Sequence, residues 1–310
     1  MADVLRPPAG HSDSAAEFDL DHDGATHEPF PGLEALRRGG EVQFLPRHGH
    51  WIVLGYDAVR EALARPADFS SSPQAAVDPV LLGADPPGHT AARRLLARRF
   101  TAAAVTELAS CARRDAAGLV RPSFDLVGDF AVPLARAAAA RLVGLDVDEL
   151  AAILTAPDIS QPPQAMTIGS RALLSRARLF GELLSEGDGA LDETAAASLV
   201  RLLCLAATVT TERLIIRTGA AYLCDDALRE QVDRSPVVQA AFIEEVARLL
   251  PPEPNVVRRT TGPTVLADVV IPGGAEVFLS LLAANRDARR FIQPQQLRLA
   301  HTTAAYRHHI

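Results

Sequence analysis

Lysine is absent from the chain: all 31 basic residues are arginine. With Ala and Leu also abundant, that usage reads as GC-rich coding bias rather than a functional choice. There is no basic stripe. The formal charge of −7 is spread along the sequence rather than concentrated, so the electrostatic footprint that phosphate backbones require is missing and nucleic acid is excluded as an expected partner. The first residues, "MADVLRPPAGHSDSAAEFDLDHDG", have no apolar core and several acids, which excludes a secretion signal or a transit peptide and points to a cytoplasmic protein. No long apolar run exists either. The best, Leu202 to Thr211 between Arg201 and Glu212, is about half of the roughly 20 residues that a bilayer span needs, and it reads as a core helix with no membrane partner. The three cysteines, Cys111, Cys204 and Cys224, are too widely spaced for a metal knuckle or a disulfide ladder, and read as small buried hydrophobes.

With 310 residues, 48% of them hydrophobic, the chain can bury a large core. Residues 1–28 are polar and predict a mobile leader. Within it Asp19, Asp21, Asp23 and Gly24 imitate the start of a calcium loop, but the imitation fails at the twelfth position, where Phe30 stands instead of a bidentate Glu. "EVQFLPRHGHWIVLGY" (Glu41 to Tyr56) predicts a β-hairpin around Pro46 to Gly49. Helices follow: "YDAVREALARP", stopped by Pro66, then two consecutive helices opened by Pro86 and Pro87, then an Ala-rich helical stretch from about 128 to 224 with one interruption at "APDISQPPQAM". A further helix, "VVQAAFIEEVARLL", carries the stripe Phe242, Ile243, Val246, Leu249 and Leu250. After Pro251 and Pro252 the pattern switches to period two, with a turn at Pro272, Gly273 and Gly274. The expected fold is mainly α with a small β region built from both ends of the chain, forming one domain over residues 29–310.

Four segments carry chemistry by their residue types and spacing. In "GADPPGHTAARRLLARRFT" a His and an Arg, His89 and Arg93, share one helix face; an ordinary helix cap followed by a solvated Arg face gives the same pattern. In "FIEEVARLL", Glu245 and Arg248 lie one turn apart and can pair, as such residues do on many helices. "PNVVRRTTGPTVLADVVIPGGAEVFLSLLAANRDARRF" is a set of strands leaving through "AANRD". "LLCLAATVTTERL" is a long helix with Ala206, Ala207, Val209 and Thr210 in sequence. Together, in this order, the four resemble the cytochrome P-450 superfamily, the haem-thiolate monooxygenases, over roughly residues 30 to 310. The resemblance implies that His89, Arg93 and Arg258 occupy haem-propionate positions and that Glu245 and Arg248 are structural. It also implies that Thr210 stands at the oxygen-activation position, next to a carboxylate that relays protons. Here Val209 replaces that acid, and a buried apolar valine carries no proton.

The ending is explained by the same resemblance. Phe291, Pro294, Leu297 and Leu299 match the run that leads in the family to the haem loop and its axial cysteine, and His309 with Ile310 match the first two letters of that loop. None of the three cysteines stands in the right element, and without a thiolate there is no electron push to split the O–O bond. His308 and His309 are expected to be solvated on a frayed terminus, which leaves no metal ligand. The chain is also short between Arg93 and Thr210, where the roof of the substrate pocket belongs. A short roof and a missing thiolate resemble the P-450-derived auxiliary proteins that activate deoxysugar glycosyltransferases in actinomycete macrolide and anthracycline pathways. "SFDLVGDFAVPL" and "DISQPPQAM" fit that offshoot, whereas the intact "DPPGHT" fits haem enzymes better. The expectation is therefore a non-catalytic auxiliary protein without catalytic residues or cofactor, whose partner is a glycosyltransferase bound near Leu203, Leu205 and Ile215. The alternatives are a haem-binding P-450 monooxygenase represented by a C-terminally incomplete chain, and a decayed product without function.

Overall fold

Leu33 and Leu36, three residues apart, bury one face of a helix that the sequence pattern passed over, α1 (Pro29–Gly39). The chain is described by a computed structural model covering residues 29–159, 166–186, 191–299 and 309–310. The polar leader with its calcium-loop imitation, residues 160–165 of the interruption, and His308 lie outside the described residues.

The predicted hairpin forms as β1 (Val42–Leu45) and β2 (His50–Val53), antiparallel with Val42 opposite Val53. α2 (Tyr56–Ala64) ends just before Pro66, and a two-residue β3 (Phe69–Ser70) follows. The opening through Pro86 and Pro87 leads into α3 (Gly88–Ala97), and Thr101 caps α4 (Ala102–Leu119) by accepting from the Ala104 N–H. The stretch from 128 to 224 has more breaks than the single one expected. A π-helical turn at Leu126–Ala131 runs into α5 (Val132–Val143), which Gly144 ends at φ 75°, a left-handed conformation that costs glycine nothing. A side chain at that glycine would also collide with Arg178. Asp146 and Glu149 form a capping box that opens α6 (Val147–Leu154), and α7 (Ile168–Ser175), α8 (Arg178–Glu186) and α9 (Glu193–Cys224) follow. After α10 (Asp226–Val232), Ser235 caps α11 (Pro236–Leu249). The period-two region gives β4 (Asn255–Thr260), β5 (Thr264–Leu266), β6 (Val269–Ile271) and β7 (Glu276–Ser280), closed by the single turn α12 (Leu281–Ala284).

The chain divides into two compact units, residues 1–73 with 227–310, and residues 74–226. In the first, both ends of the chain build one sheet in the order β1-β2-β7-β4-β3, so the expected origin of the β region holds. β2 pairs with β7 in parallel, Trp51 opposite Val277, while β4 pairs with β7 antiparallel. Val53, Phe69, Val277 and Leu279 pack with Val59 and Ala62 of α2. β5 and β6 form a separate hairpin whose turn, Ala267 and Asp268, takes positive φ without glycine, which is why the sequence did not announce it. The stripe of α11 is narrower than expected: Phe242, Val246 and Leu249 are buried, but Ile243 is 44% exposed.

In the second unit α9 packs on α5, and Ala139, Ala140, Val143, Leu199 and Val200 share one core with Leu174 and Leu183. Burial along α9 stops at Thr208, and Leu203, Leu205 and Ile215 are half-buried. Of the cysteines only Cys204 is buried. Cys111 is half-buried and Cys224 exposed, because the last turns of α9 bury no residue. Among the described residues no helix is long and apolar enough to cross a membrane, and no cluster of three or more His, Cys, Asp or Glu could hold a metal ion.

Candidate functional site

Helical spacing places Glu245 and Arg248 side by side on α11, and both are buried. Arg248 donates from Nε to Glu245 Oε2 at 2.9 Å and from Nη2 to Glu245 Oε1 at 2.7 Å, a bidentate pair. Its remaining N–H groups reach the carbonyls of Asn285 at 2.7 Å, Pro294 at 2.8 Å and Gln296 at 3.1 Å. All five guanidinium donors are thus used. Glu245 Oε1 also accepts the Arg298 N–H at 3.2 Å, and the guanidinium lies over the Phe291 ring at 5.1 Å. Arg248 thus holds the irregular segment after α12, where carbonyls lack strand partners and need buried donors.

The triplet after α12 ties that segment to three other places. The Asn285 side chain accepts from the Ile310 N–H at 2.8 Å and donates to the Ile310 carbonyl at 3.2 Å. Arg286 donates twice to the carbonyl of Leu249, the last residue of α11, at 3.3 and 2.8 Å, a favourable place for a cation at a helix C-terminus. It also donates to Gln295 and lies over the Phe30 ring, and burial first, then the charge of Arg248, lowers its pKa to about 10. Asp287 accepts the N–H of Tyr56 at 3.1 Å, capping α2, whose own N-cap Gly55 has no side chain to do so. Burial pushes the Asp287 carboxyl up, but hydrogen bonds from Arg289 and the Tyr56 N–H outweigh it and bring the pKa down to about 2. Sequence reading noted "AANRD" only as part of a pattern. The division of labour among Asn285, Arg286 and Asp287 has no local signal, since the Ile310, Leu249 and Tyr56 partners that separate their tasks are distant in sequence.

His309 and Ile310 are held rather than frayed, contrary to expectation. Ile310 packs against the core of its unit, and His309 is half-buried with Nδ1 3.7 Å from Glu244. Burial lowers the pKa of His309 against the opposing pull of Glu244.

The second unit holds His89, Arg93, Val209 and Thr210. His89 is half-buried in the first turn of α3, and Arg93, one turn later on the same face, is exposed. Val209 is 38% exposed rather than buried, because it lies on the same face of α9 as the exposed Ala206 and Arg213. It remains an apolar group with no proton to give. Thr210 donates its hydroxyl to the Ala206 carbonyl at 2.7 Å, one turn back along α9. Arg258, in the first unit, is half-buried on β4 opposite Val277 and donates to the Val257 carbonyl at 2.9 Å.

His89, Arg93 and Arg258 are of the kind that hold carboxylates. No residue offers the iron a thiolate: burial pushes the Cys204 thiol up to about 12, and neither Cys111 nor Cys224 lies in the segment that Arg248 organises.

A cytochrome P450 family model matches residues 230–301, the stretch containing Glu245, Arg248, Arg258 and the Asn285 triplet. Cytochrome P450 109 of Bacillus spizizenii is 31% identical over 300 residues, covering 86% of this chain and 74% of that protein. The erythromycin C-12 hydroxylase of Saccharopolyspora erythraea is 31% identical over 290 residues, covering 81% of this chain and 72% of that protein. Among solved structures, a mutant of P450 EryK in complex with erythromycin B superposes with a TM-score of 0.72 at 26% identity, covering 91% of this chain and 82% of the other. Ligand-free P450 TbtJ1 superposes with a TM-score of 0.75 at 26% identity, covering 93% and 83%. With the buried Glu245–Arg248 pair in place and identity at this level over most of both chains, the chain belongs to the cytochrome P450 family.

Proposed function

We propose that this chain is the scaffold of a haem-thiolate monooxygenase that hydroxylates a bulky natural product. The observation that carries the reading is its 31% identity to an erythromycin C-12 hydroxylase over 81% of its length. The packing supports it, since Arg248 uses every donor to order the segment after α12. His89, Arg93 and Arg258 would hold the two propionates, and a bound haem with a thiolate ligand supplies the oxygen chemistry. The reading requires a thiolate from outside residues 1–310. It makes Thr210, without a neighbouring acid, the polar group of α9 at the oxygen-activation position. The test is a reduced carbon monoxide difference spectrum of the natural full-length gene product, prepared with haem supplied. A thiolate-ligated band at one haem per chain is expected, and its absence overturns the reading.

A second reading is favoured by Val209, which removes the proton-relaying acid: a haem-free auxiliary protein that binds and activates a glycosyltransferase. Its test is glycosyl transfer by the neighbouring gene's enzyme with and without this protein. Stimulation by a haem-free preparation would support it.

A further inference from the structure

We infer that Asn285 is a positioning residue that seats His309 and Ile310 against α11 and thereby sets where the chain after Ile310 starts; its bearing on the iron ligand rests on the monooxygenase reading above. Three observations converge on this residue. Its side chain is fully buried, and both ends of its amide are spent on one residue, accepting from the Ile310 N–H at 2.8 Å and donating to the Ile310 carbonyl at 3.2 Å. Its own carbonyl accepts from Arg248 Nη1 at 2.7 Å, so the residue that grips Ile310 is itself held by the buried Glu245–Arg248 pair. The Ile310 side chain packs into the core of the sheet, and His309 turns its ring towards Glu244.

An amide is suited to this task. It offers a donor and an acceptor at a fixed spacing, and so pairs with a backbone as a neighbouring strand would. An aspartate keeps the acceptor for the Ile310 N–H but loses the donor to its carbonyl. An alanine loses both and leaves two backbone groups unpaired beside a half-buried side chain, which favours local opening of this segment over global unfolding.

The experiment compares Asn285→Ala, Asn285→Asp and Ser280→Ala. Ser280 is equally buried and caps α12 through the Ala283 N–H, so its loss disturbs the same region without touching Ile310. Amide hydrogen exchange at His309 and Ile310 is read on the 310-residue chain. Asn285→Ala should speed it by about tenfold or more, Asn285→Asp by less, and Ser280→Ala should leave it unchanged at a comparable loss of melting temperature. Unchanged protection in Asn285→Ala, or equal acceleration in Ser280→Ala, overturns the assignment. On the haem-loaded full-length product, Asn285→Ala should lower the thiolate-ligated fraction of the carbon monoxide spectrum, and a full band overturns the role in placing the iron ligand. If the unaltered product shows no haem at all, the monooxygenase reading fails, and the exchange measurement alone decides whether Asn285 seats the segment.

Discussion

Arg248 and Arg201 are buried alike, at 2% and 0% exposure, each on a helix, and their surroundings differ completely. Arg248 has a carboxylate and three carbonyls for its five N–H groups. Arg201 has the carbonyl of Ile159 at 2.6 Å, and among the described residues its Nε and Nη2 have no partner. The acid that acts on it, Asp78, is committed elsewhere: Oδ1 accepts the N–H groups of Val80, Leu81 and Leu82, and Oδ2 accepts the Ser198 hydroxyl. Burial lowers the pKa of Arg201, with Asp78 opposing only in part. A buried charge stabilises a fold only where its partners are already in place, and here one arginine meets that condition and the other does not.

The contrast breaks first at Glu245. Replacing it with alanine strands two buried Arg248 donors and unpairs the half-buried Arg298 N–H, at a cost of about 3 kcal/mol or more. Urea unfolding should show the loss as a lowered midpoint at unchanged slope. A loss no larger than that of an exposed helix pair would show that water reaches this pair in solution.

Arg201 should respond with the opposite sign. Arg201→Met keeps length and removes a poorly satisfied charge, so stability should be unchanged or rise by about 1 kcal/mol, the usual outcome when a buried charge gives way to packed hydrocarbon. The same change at Arg248 should be strongly destabilising. If both methionine variants lose stability equally, Arg201 has partners, such as ordered water, and the contrast dissolves.

Legibility in the sequence follows the same divide. Glu245 and Arg248 were readable because their partner relation is local, one turn of helix. So were the hairpin and the origin of the sheet, which rest on period-two patterning and turn residues. Arg201 was read only as the polar border of an apolar run, because what buries it lies at Asp78 and Ile159, far away in sequence. Asn285, Arg286 and Asp287 were visible as letters but not as three separate attachments. Thr210 and Val209 were placed by resemblance, yet the exposure of Val209 depends on which face of α9 is left uncovered, and a helix that is Ala- and Leu-rich all round does not show that face.

Asp287 makes the comparison titratable. Its folded pKa of about 2 lies below that of a free aspartate, so its contribution is fully present above the unfolded value near 4 and is lost as pH falls through the folded one. Stability should therefore fall between about pH 4 and pH 2, and part of that slope should vanish in Asp287→Asn. The substitution itself should cost on the order of 1 kcal/mol at neutral pH, as the loss of a charged helix cap does. An identical pH profile in the variant would show that Arg289 and the Tyr56 N–H do not hold this carboxylate in solution.

The smallest effect is expected at Arg93. It shares a helix face with His89 but is exposed, and it lies outside the core of its unit. Arg93→Ala should therefore change the unfolding free energy of the 310-residue chain by no more than about 0.5 kcal/mol, as surface substitutions do. The interest lies in setting that near-zero against a second measurement. If Arg93 holds a propionate, the haem-loaded full-length product carrying the same substitution should release haem to a scavenging apoprotein faster than the unaltered protein, although its fold is no weaker. Glu245→Ala should weaken both fold and haem retention together. A large loss of stability from Arg93→Ala in the chain without haem would show that this arginine is tied into the structure. Equal haem release with and without it would leave His89 and Arg258 as the carboxylate donors and reduce Arg93 to a solvated face of α3.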